Sequence, residues 1–204
     1  MSSIDLYYTK MSCIIISGIS GSGKSTQAKL LASLIPNTVH VEGDNYLKPK
    51  SAIGRVTLSS GETATDWDSI DSMEWDILNQ DVNNLLRHGH VIVSTFLPVM
   101  SLITFPVALH IHLSTGDNPK DILERCIESR IVSKRIPADK QARDELIVNE
   151  RVYPLYVRTM RDNRPDVTIP TYSEEGRISQ DTITKTLIHH GFTDLASFEP
   201  STLL

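Results

Sequence analysis

Short apolar runs alternate with segments whose apolar positions recur every three or four residues, from Cys13 to His190. Cys13-Ile14-Ile15-Ile16 is a continuous apolar run of strand length. Thr38 to Glu42, His90 to Thr95, Pro106 to Leu113 and Asp166 to Pro170 read as four further strands. Between them, Ser25 to Ile35 sets Ala28, Leu31, Ala32 and Ile35 on one helical face and stops at Pro36. Ser69 to His88 reads as a helix ended by Gly89. Pro119 to Ile131 and Ala142 to Met160 read as two more, and Ile178 to His190 as a closing helix before Gly191. Residues 45–66 are polar and irregular, long for a simple connection, and so form a candidate substrate loop. Strands alternating with helices predict a single α/β domain, a doubly wound five-stranded parallel sheet with helices on both faces. In such sheets ligands bind beyond the carboxyl ends of the strands.

Composition narrows the class without changing the fold. The 204-residue chain is long enough to bury a sizeable core, and its 40% hydrophobic and 22% charged fractions suit a soluble globular protein. A net charge of −5 gives no polybasic surface for nucleic acid or membrane. No apolar run reaches the length of a membrane span, and the first residues lack the basic start of a signal peptide. These features predict a cytoplasmic protein, a monomer or homodimer, acting on a small molecule. The two cysteines, Cys13 and Cys126, lack metal-ligand spacing and are expected to be reduced and buried. Residues 1–10 read as an N-terminal extension, loosely held or forming a short edge element. Residues 11–191 form the domain, with a small helical lid at about 125–142, and 192–204 are a tail.

The strongest chemical signal follows the first strand. Gly18-Ile19-Ser20-Gly21-Ser22-Gly23-Lys24-Ser25-Thr26 is the phosphate-loop pattern Gly-x-x-x-x-Gly-Lys-Ser/Thr, set between a strand and a helix as its mechanics require. Its glycines let backbone N–H groups close around phosphate oxygens, and the following helix points its positive end at them. Lys24 would reach the β- and γ-phosphates, and the Ser25 hydroxyl would ligate Mg²⁺.

Three further groups could complete a transfer site. Asp44, in Val41-Glu42-Gly43-Asp44-Asn45-Tyr46-Leu47-Lys48-Pro49, ends the second strand. There it could accept a proton from an attacking hydroxyl or hold Mg²⁺ through water, or it could merely cap a turn. Asp68, in Thr65-Asp66-Trp67-Asp68-Ser69, could bind ribose-like hydroxyls, with Trp67 as a flat face and Tyr46 as a further acceptor contact. Alternatively, Asp68 or Ser69 caps the next helix. Arg125, Arg130, Lys134 and Arg135 could bring cations over the transferring phosphoryl group and exclude water, with Arg130 the first candidate and Arg135 the second. Such a run also suits a solvated helix face. His88, His90, His110 and His112 have no zinc-type partners and read as structural or surface residues. Tyr153 and Tyr156, at helical spacing, suit core packing as well as ligand contact.

Taken together, Gly18–Thr26, Asp44–Pro49, Asp66-Trp67-Asp68, Glu124-Arg125…Ser129-Arg130 and Val152–Tyr156 resemble the uridine kinase and nicotinamide riboside kinase group of phosphate-loop kinases. Arg164–Pro170 resembles that group's late strand, and the resemblance runs from about Ser12 to Ile188. It implies ATP and Mg²⁺ as cofactors, Asp44 as the catalytic carboxylate, Asp68 as a ligand of ribose hydroxyls and Arg130 as a lid arginine. The family's third strand commonly ends in a Mg²⁺-binding carboxylate, where this chain has Ser94-Thr95. A hydroxyl is the weaker ligand for a hard cation.

The function expected is ATP-dependent phosphorylation of a small metabolite's hydroxyl, foremost the 5′-hydroxyl of a nucleoside. Glu42-Gly43-Asp44 and Ser59-Ser60-Gly61-Glu62 keep a gluconate-type sugar-acid kinase as the alternative. The hydroxyls at Ser94-Thr95 keep open a nucleotide-binding regulator with little catalysis. A polynucleotide 5′-kinase is disfavoured by the acidic balance.

Overall fold

The computed structural model describes residues 11–191 apart from 117 and 174, so the expected N-terminal extension and C-terminal tail lie outside the described residues. Nine strands occur in chain order: β1 (Cys13–Ser17), β2 (Thr38–Glu42), β3 (Arg55–Thr57), β4 (Thr63–Thr65), β5 (His90–Thr95), β6 (Val107–Ser114), β7 (Val167–Pro170), β8 (Tyr172–Ser173) and β9 (Gly176–Arg177). The helices are α1 (Lys24–Leu34), α2 (Trp75–Leu85), α3 (Pro119–Ser133), α4 (Ala138–Ile147), α5 (Tyr153–Asp162) and α6 (Gln180–Gly191). Five strands form one parallel sheet in the order β2-β5-β1-β6-β7, while β3–β4 and β8–β9 are small antiparallel hairpins. This is the expected doubly wound sheet. Among the described residues, no helix is long and apolar enough to cross a membrane.

The strand pleat divides the core between the two faces of the sheet. Successive residues of β1 point to opposite sides. Ile14 and Ile16 pack with Leu31 of α1 and Ile183 of α6, and Cys13 and Ile15 pack with Leu78 and Val82 of α2. Both cysteines are buried and free. A third cluster, built on Ile19, Cys126, Val148, Val152 and Tyr156, joins the phosphate loop to α3, the π-helical turn and α5. Tyr156 is therefore a core residue.

Three segments differ from expectation. Residues 45–66 are not wholly irregular, because they contain the β3–β4 hairpin and two short 3₁₀ turns. The helix expected from Ser69 starts at Trp75, after a 3₁₀ turn at Ile70–Ser72. Ser69 and Ser72 spend their hydroxyls on local backbone carbonyls, Asp66 O from Ser69 and Trp67 O and Ser69 O from Ser72, which favours turn over helix. Neither Asp68 nor Ser69 caps α2, whose N-cap is Glu74. The helix expected over Ala142–Met160 is α4 and α5 joined by a π-helical turn at Val148–Val152. Pro154 offers no N–H to the carbonyl four residues earlier, and a wider turn accommodates that loss.

Beneath the phosphate loop lies a buried polar network. Ser17 Oγ is hydrogen-bonded to His110 Nε2 at 2.8 Å and His112 Nδ1 at 3.1 Å, and His112 Nε2 to the Tyr156 hydroxyl at 2.8 Å. His90 Nδ1 accepts from Ser12 N at 3.2 Å, and His88 is exposed, so all four histidines are structural or surface residues. Burial pushes His110 and His112 down to about 4 from 6.5. Below pH 6.5 the unfolded chain therefore takes up protons before the folded one, and stability falls as pH drops from 6.5 towards 4. The loss is up to about 3 kcal/mol per histidine. Urea unfolding at pH 7.5, 6 and 5 is expected to show this decline, and His110→Gln to shallow it. A stability that is level across that range would mean the pair is not held neutral.

Candidate phosphoryl-transfer site

The phosphate loop leaves β1 at the buried Ser17 and enters α1 at Lys24. Gly21 and Gly23 both have φ of +87°, a left-handed conformation that side chains disfavour. Ser22 N donates to Ile19 O at 3.1 Å, which turns the chain, and Gly23 caps α1 with no side-chain hydrogen bond. The first-turn N–H groups therefore have no intrahelical partner. Ser22 Oγ is buried and lacks a hydrogen-bond partner. A buried orphan hydroxyl is costly unless something supplies its partner. Phosphate oxygens would satisfy both the hydroxyl and the N–H groups, so the loop fits a nucleotide phosphate chain. Thr26 lies exposed on the first turn of α1.

Beside the loop stands a carboxylate that the motif reading did not assign to metal. Glu42 pairs with Ser94 across β2 and β5. Its Oε1 accepts from Ser25 Oγ at 3.0 Å and from Ser94 Oγ at 2.9 Å. Because Ser94 donates to Glu42, His40 Nε2 donates to Ser94 Oγ, 2.8 Å away. Burial lowers the His40 pKa against the opposing pull of Glu42. Gly43 makes this corner possible, since a Cβ there would come within 2.9 Å of Ser94 O. The hydroxyl at Ser94 thus orients a carboxylate from the neighbouring strand, at the sheet edge where β5 itself ends in hydroxyls. With Oε1 holding two hydroxyls, Oε2 is left facing only His40, at 3.9 Å. Ser25 and Glu42 offer hard oxygen ligands, and Mg²⁺ needs only one or two carboxylates besides phosphate and water. The residues present fit that ion.

A cavity of about 380 Å³ opens next to the loop. Ser20, Lys24, Asp44, Trp67, Asp68 and Arg130 line it, as do Lys134, Trp75, Thr95, Phe96 and Leu97. Lys24, Asp44, Asp68 and Trp67 are thereby brought together as expected from sequence. Tyr46 is not. Its hydroxyl donates to Asp81 at 3.0 Å and its ring packs on the α2 side of the core, which gives the acceptor contact expected of it no support.

Arg130 has a different local role from a free lid arginine. It is 4% exposed and donates through Nε and Nη2 to both oxygens of Asp144, each at 3.1 Å. Its Nη1 reaches both oxygens of Asp68 at 3.3 Å. One guanidinium thus serves two carboxylates, and the cluster keeps a surplus negative charge. Asp144 takes the geometrically better fork, which leaves Asp68 with accepting capacity at the cavity wall. Lys134, at the C-cap of α3, is exposed and lines the cavity. Arg135 has a φ of +49°, is exposed and is not among the cavity-lining residues, which removes the support for its expected phosphate contact.

The β3–β4 hairpin is strapped to the lid side by polar ties. Glu150, in the π turn, accepts from Ser59 N at 3.0 Å and from Ser59 Oγ. Arg151 Nη2 donates to Asp66 at 2.7 Å, and Arg143 pairs with Glu62 at 3.2 Å and donates to Thr63 O at 2.7 Å. These ties hold the segment that carries Trp67 and Asp68 against the cavity.

No family model matches the sequence, and no curated protein matches it. Among solved structures, a sugar kinase from Janibacter sp. HTCC2649 matches with a TM-score of 0.52 at 16% identity, over 88% of this chain and 93% of that one. A candidate fructose transport system kinase from Silicibacter sp. TM1040 matches with a TM-score of 0.50 at 13% identity, over 82% and 93%. At these identities the likeness establishes the fold alone, a five-stranded parallel sheet flanked by helices.

Breaking a buried ion cluster by removing its shared cation strands its charges, at a cost of about 3–5 kcal/mol. Arg130→Met is therefore expected to lower unfolding stability by that much, while Arg161→Met, in the exposed pair with Asp162, costs at most about 1 kcal/mol. Equal losses in a denaturant titration would show that the cluster contributes nothing special.

Proposed function

We propose that the protein is an ATP- and Mg²⁺-dependent small-molecule kinase that moves the γ-phosphate to a hydroxyl of an acceptor bound in the cavity. The observation that carries this reading is the convergence of Lys24, Asp44 and Asp68 on one cavity at the mouth of the phosphate loop. Loop N–H groups and Lys24 hold the β- and γ-phosphates. Ser25 and Glu42 would hold Mg²⁺, with Asp44 contributing through water. An ion held by these residues would supply electrostatic neutralisation of the phosphate charge. Asp44 accepts the acceptor's hydroxyl proton as its oxygen forms the bond to the γ-phosphorus. The bond from that phosphorus to the bridging oxygen breaks, and ADP leaves. Lys24 and Lys134 offset the charge that develops on the transferred group, with Lys134 taking the lid role expected of Arg130.

A nucleoside is the acceptor favoured, with its 5′-hydroxyl as the nucleophile. The surplus negative charge shared by Asp68, Arg130 and Asp144 suits the donated hydrogen bonds of ribose hydroxyls. Trp67, Trp75 and Phe96 supply flat apolar surface for a ring. Nicotinamide riboside and the pyrimidine nucleosides uridine and cytidine are the types proposed. A sugar acid is the second reading, because Lys134 is a cation at the cavity wall able to pair with a carboxylate. The same reading has the enzyme act on free metabolites in the cytoplasm, as a monomer or homodimer.

A coupled assay of ADP release over nicotinamide riboside, uridine, cytidine and gluconate tests the acceptor. Stimulation by a nucleoside is expected; stimulation by gluconate alone would transfer the site to sugar acids. For the active acceptor, Asp44→Asn is expected to lower kcat by about 10²–10⁴-fold while ATP still binds. Undiminished turnover would remove Asp44 from the chemistry.

A further inference from the structure

We infer that Arg177 is a phosphate-binding residue, brought by the β8–β9 hairpin onto the inner phosphates of a nucleoside di- or triphosphate. The inference rests on the loop at Gly18–Thr26 holding a nucleotide. Lys24 and the acceptor cavity lie on one side of that loop, and Arg177 is not among the residues lining the cavity. It approaches from the other side. A Cβ at Gly23 would stand 3.4 Å from Arg177 Nη2 and 3.6 Å from Gln180 Nε2, so the guanidinium sits directly over the loop backbone.

The approach is built into the fold. Gly176, with a φ of +115°, makes the turn into β9 that delivers Arg177. The adjoining start of α6 is tied to α1 by the fully buried Gln27, whose Nε2 donates to Gln180 O at 3.1 Å. Thr184 Oγ1 donates to Gln27 Oε1 at 2.9 Å. The hairpin and the phosphate loop therefore keep a fixed separation.

Charge supplies the second argument. The Arg125 guanidinium lies 4.1 Å from the centre of the Tyr172 ring, and that of Arg177 lies 6.0 Å from the same ring. Neither is paired with a carboxylate among the described residues; Arg125 instead donates to Thr115 O. Gly21 lies against Ser129 and the Arg125 carbonyl. The two guanidiniums share the Tyr172 ring without a carboxylate partner among the described residues, and that of Arg177 reaches the phosphate loop in a chain of net charge −5. Arginine's planar fork matches phosphate oxygens. Since the γ-phosphate must face Lys24 and the acceptor, Arg177 meets the α- and β-phosphates, which ATP and ADP share.

Titration calorimetry of the full chain with ATP and with ADP tests this, on wild type, Arg177→Ala and Arg177→Lys. Arg177→Ala is expected to weaken both nucleotides equally, by about tenfold or more, with Arg177→Lys in between. Arg177 is exposed, and thermal melts of the unliganded variants should match wild type. Unchanged affinities in Arg177→Ala would overturn the inference while leaving the phosphate loop intact. Weakening of ATP alone would overturn it in favour of a γ-phosphate contact. Failure of the wild type to bind either nucleotide would overturn the loop reading itself, and this inference with it.

Discussion

The hydrogen bond from Ser25 Oγ to Glu42 Oε1 joins the first turn of the phosphate-loop helix to the end of an edge strand two places away in the sheet. It exists only because three parallel strands end level with one another. Ser17 pairs with Thr95, and Glu42 pairs with Ser94. His40 and Glu42 share one face of β2, whereas Val41 turns to the core. A one-residue slip of β2 would carry Glu42 to the opposite face and Val41 into the site. The apolar contacts of Val41 therefore fix the position of the Glu42–Ser94–Ser25 corner, linking core packing to the proposed metal and phosphate site.

The acceptor side depends on a different kind of constraint. The segment around Trp67 and Asp68 is tied to its neighbours by charged groups, although Ile53, Leu58 and Ala64 in and beside the adjoining hairpin are buried. Arg130 anchors it from beneath through a buried cluster, and exposed ties to Glu150, Arg151 and Arg143 hold its hairpin above. Exposed pairs are individually weak, of order 0–1 kcal/mol, whereas the buried cluster is costly to break.

Local signals made most of this legible in advance. The strands β2 and β5 end where the apolar pattern ends, and the phosphate loop is a contiguous motif whose geometry follows from its glycines. Asp44 and Asp68, singled out from the segments after β2 and β4, both line the cavity. The surroundings of Arg130, Tyr46 and Glu42 were not legible for a shared reason: each engages a partner distant in sequence. Asp144 engages Arg130, Asp81 engages Tyr46, and Ser25 with Ser94 engages Glu42. Apolar periodicity carried the helix reading through Ser69–Ser72, where hydroxyls bonded to nearby carbonyls make turns instead. The late start of α2 came from that competition. The π turn before Pro154 was equally hidden, because a helical periodicity does not register one added residue in a turn. Glu42 did leave one trace, as the first acid of Glu42-Gly43-Asp44, two residues from the expected catalytic carboxylate on the same strand end.

On the proposed function, Glu42 supplies the metal-binding carboxylate that Ser94-Thr95 lack. The most direct measurement is the Mg²⁺ dependence of phosphoryl transfer at saturating ATP and acceptor, in wild type and in Glu42→Gln. The amide keeps the hydrogen bonds from Ser25 and Ser94 through its oxygen but removes the anionic ligand. Half-saturating Mg²⁺ is expected to rise by about tenfold or more, the effect of losing a ligand or its support at a metal site. An identical Mg²⁺ dependence in the two proteins would contradict it.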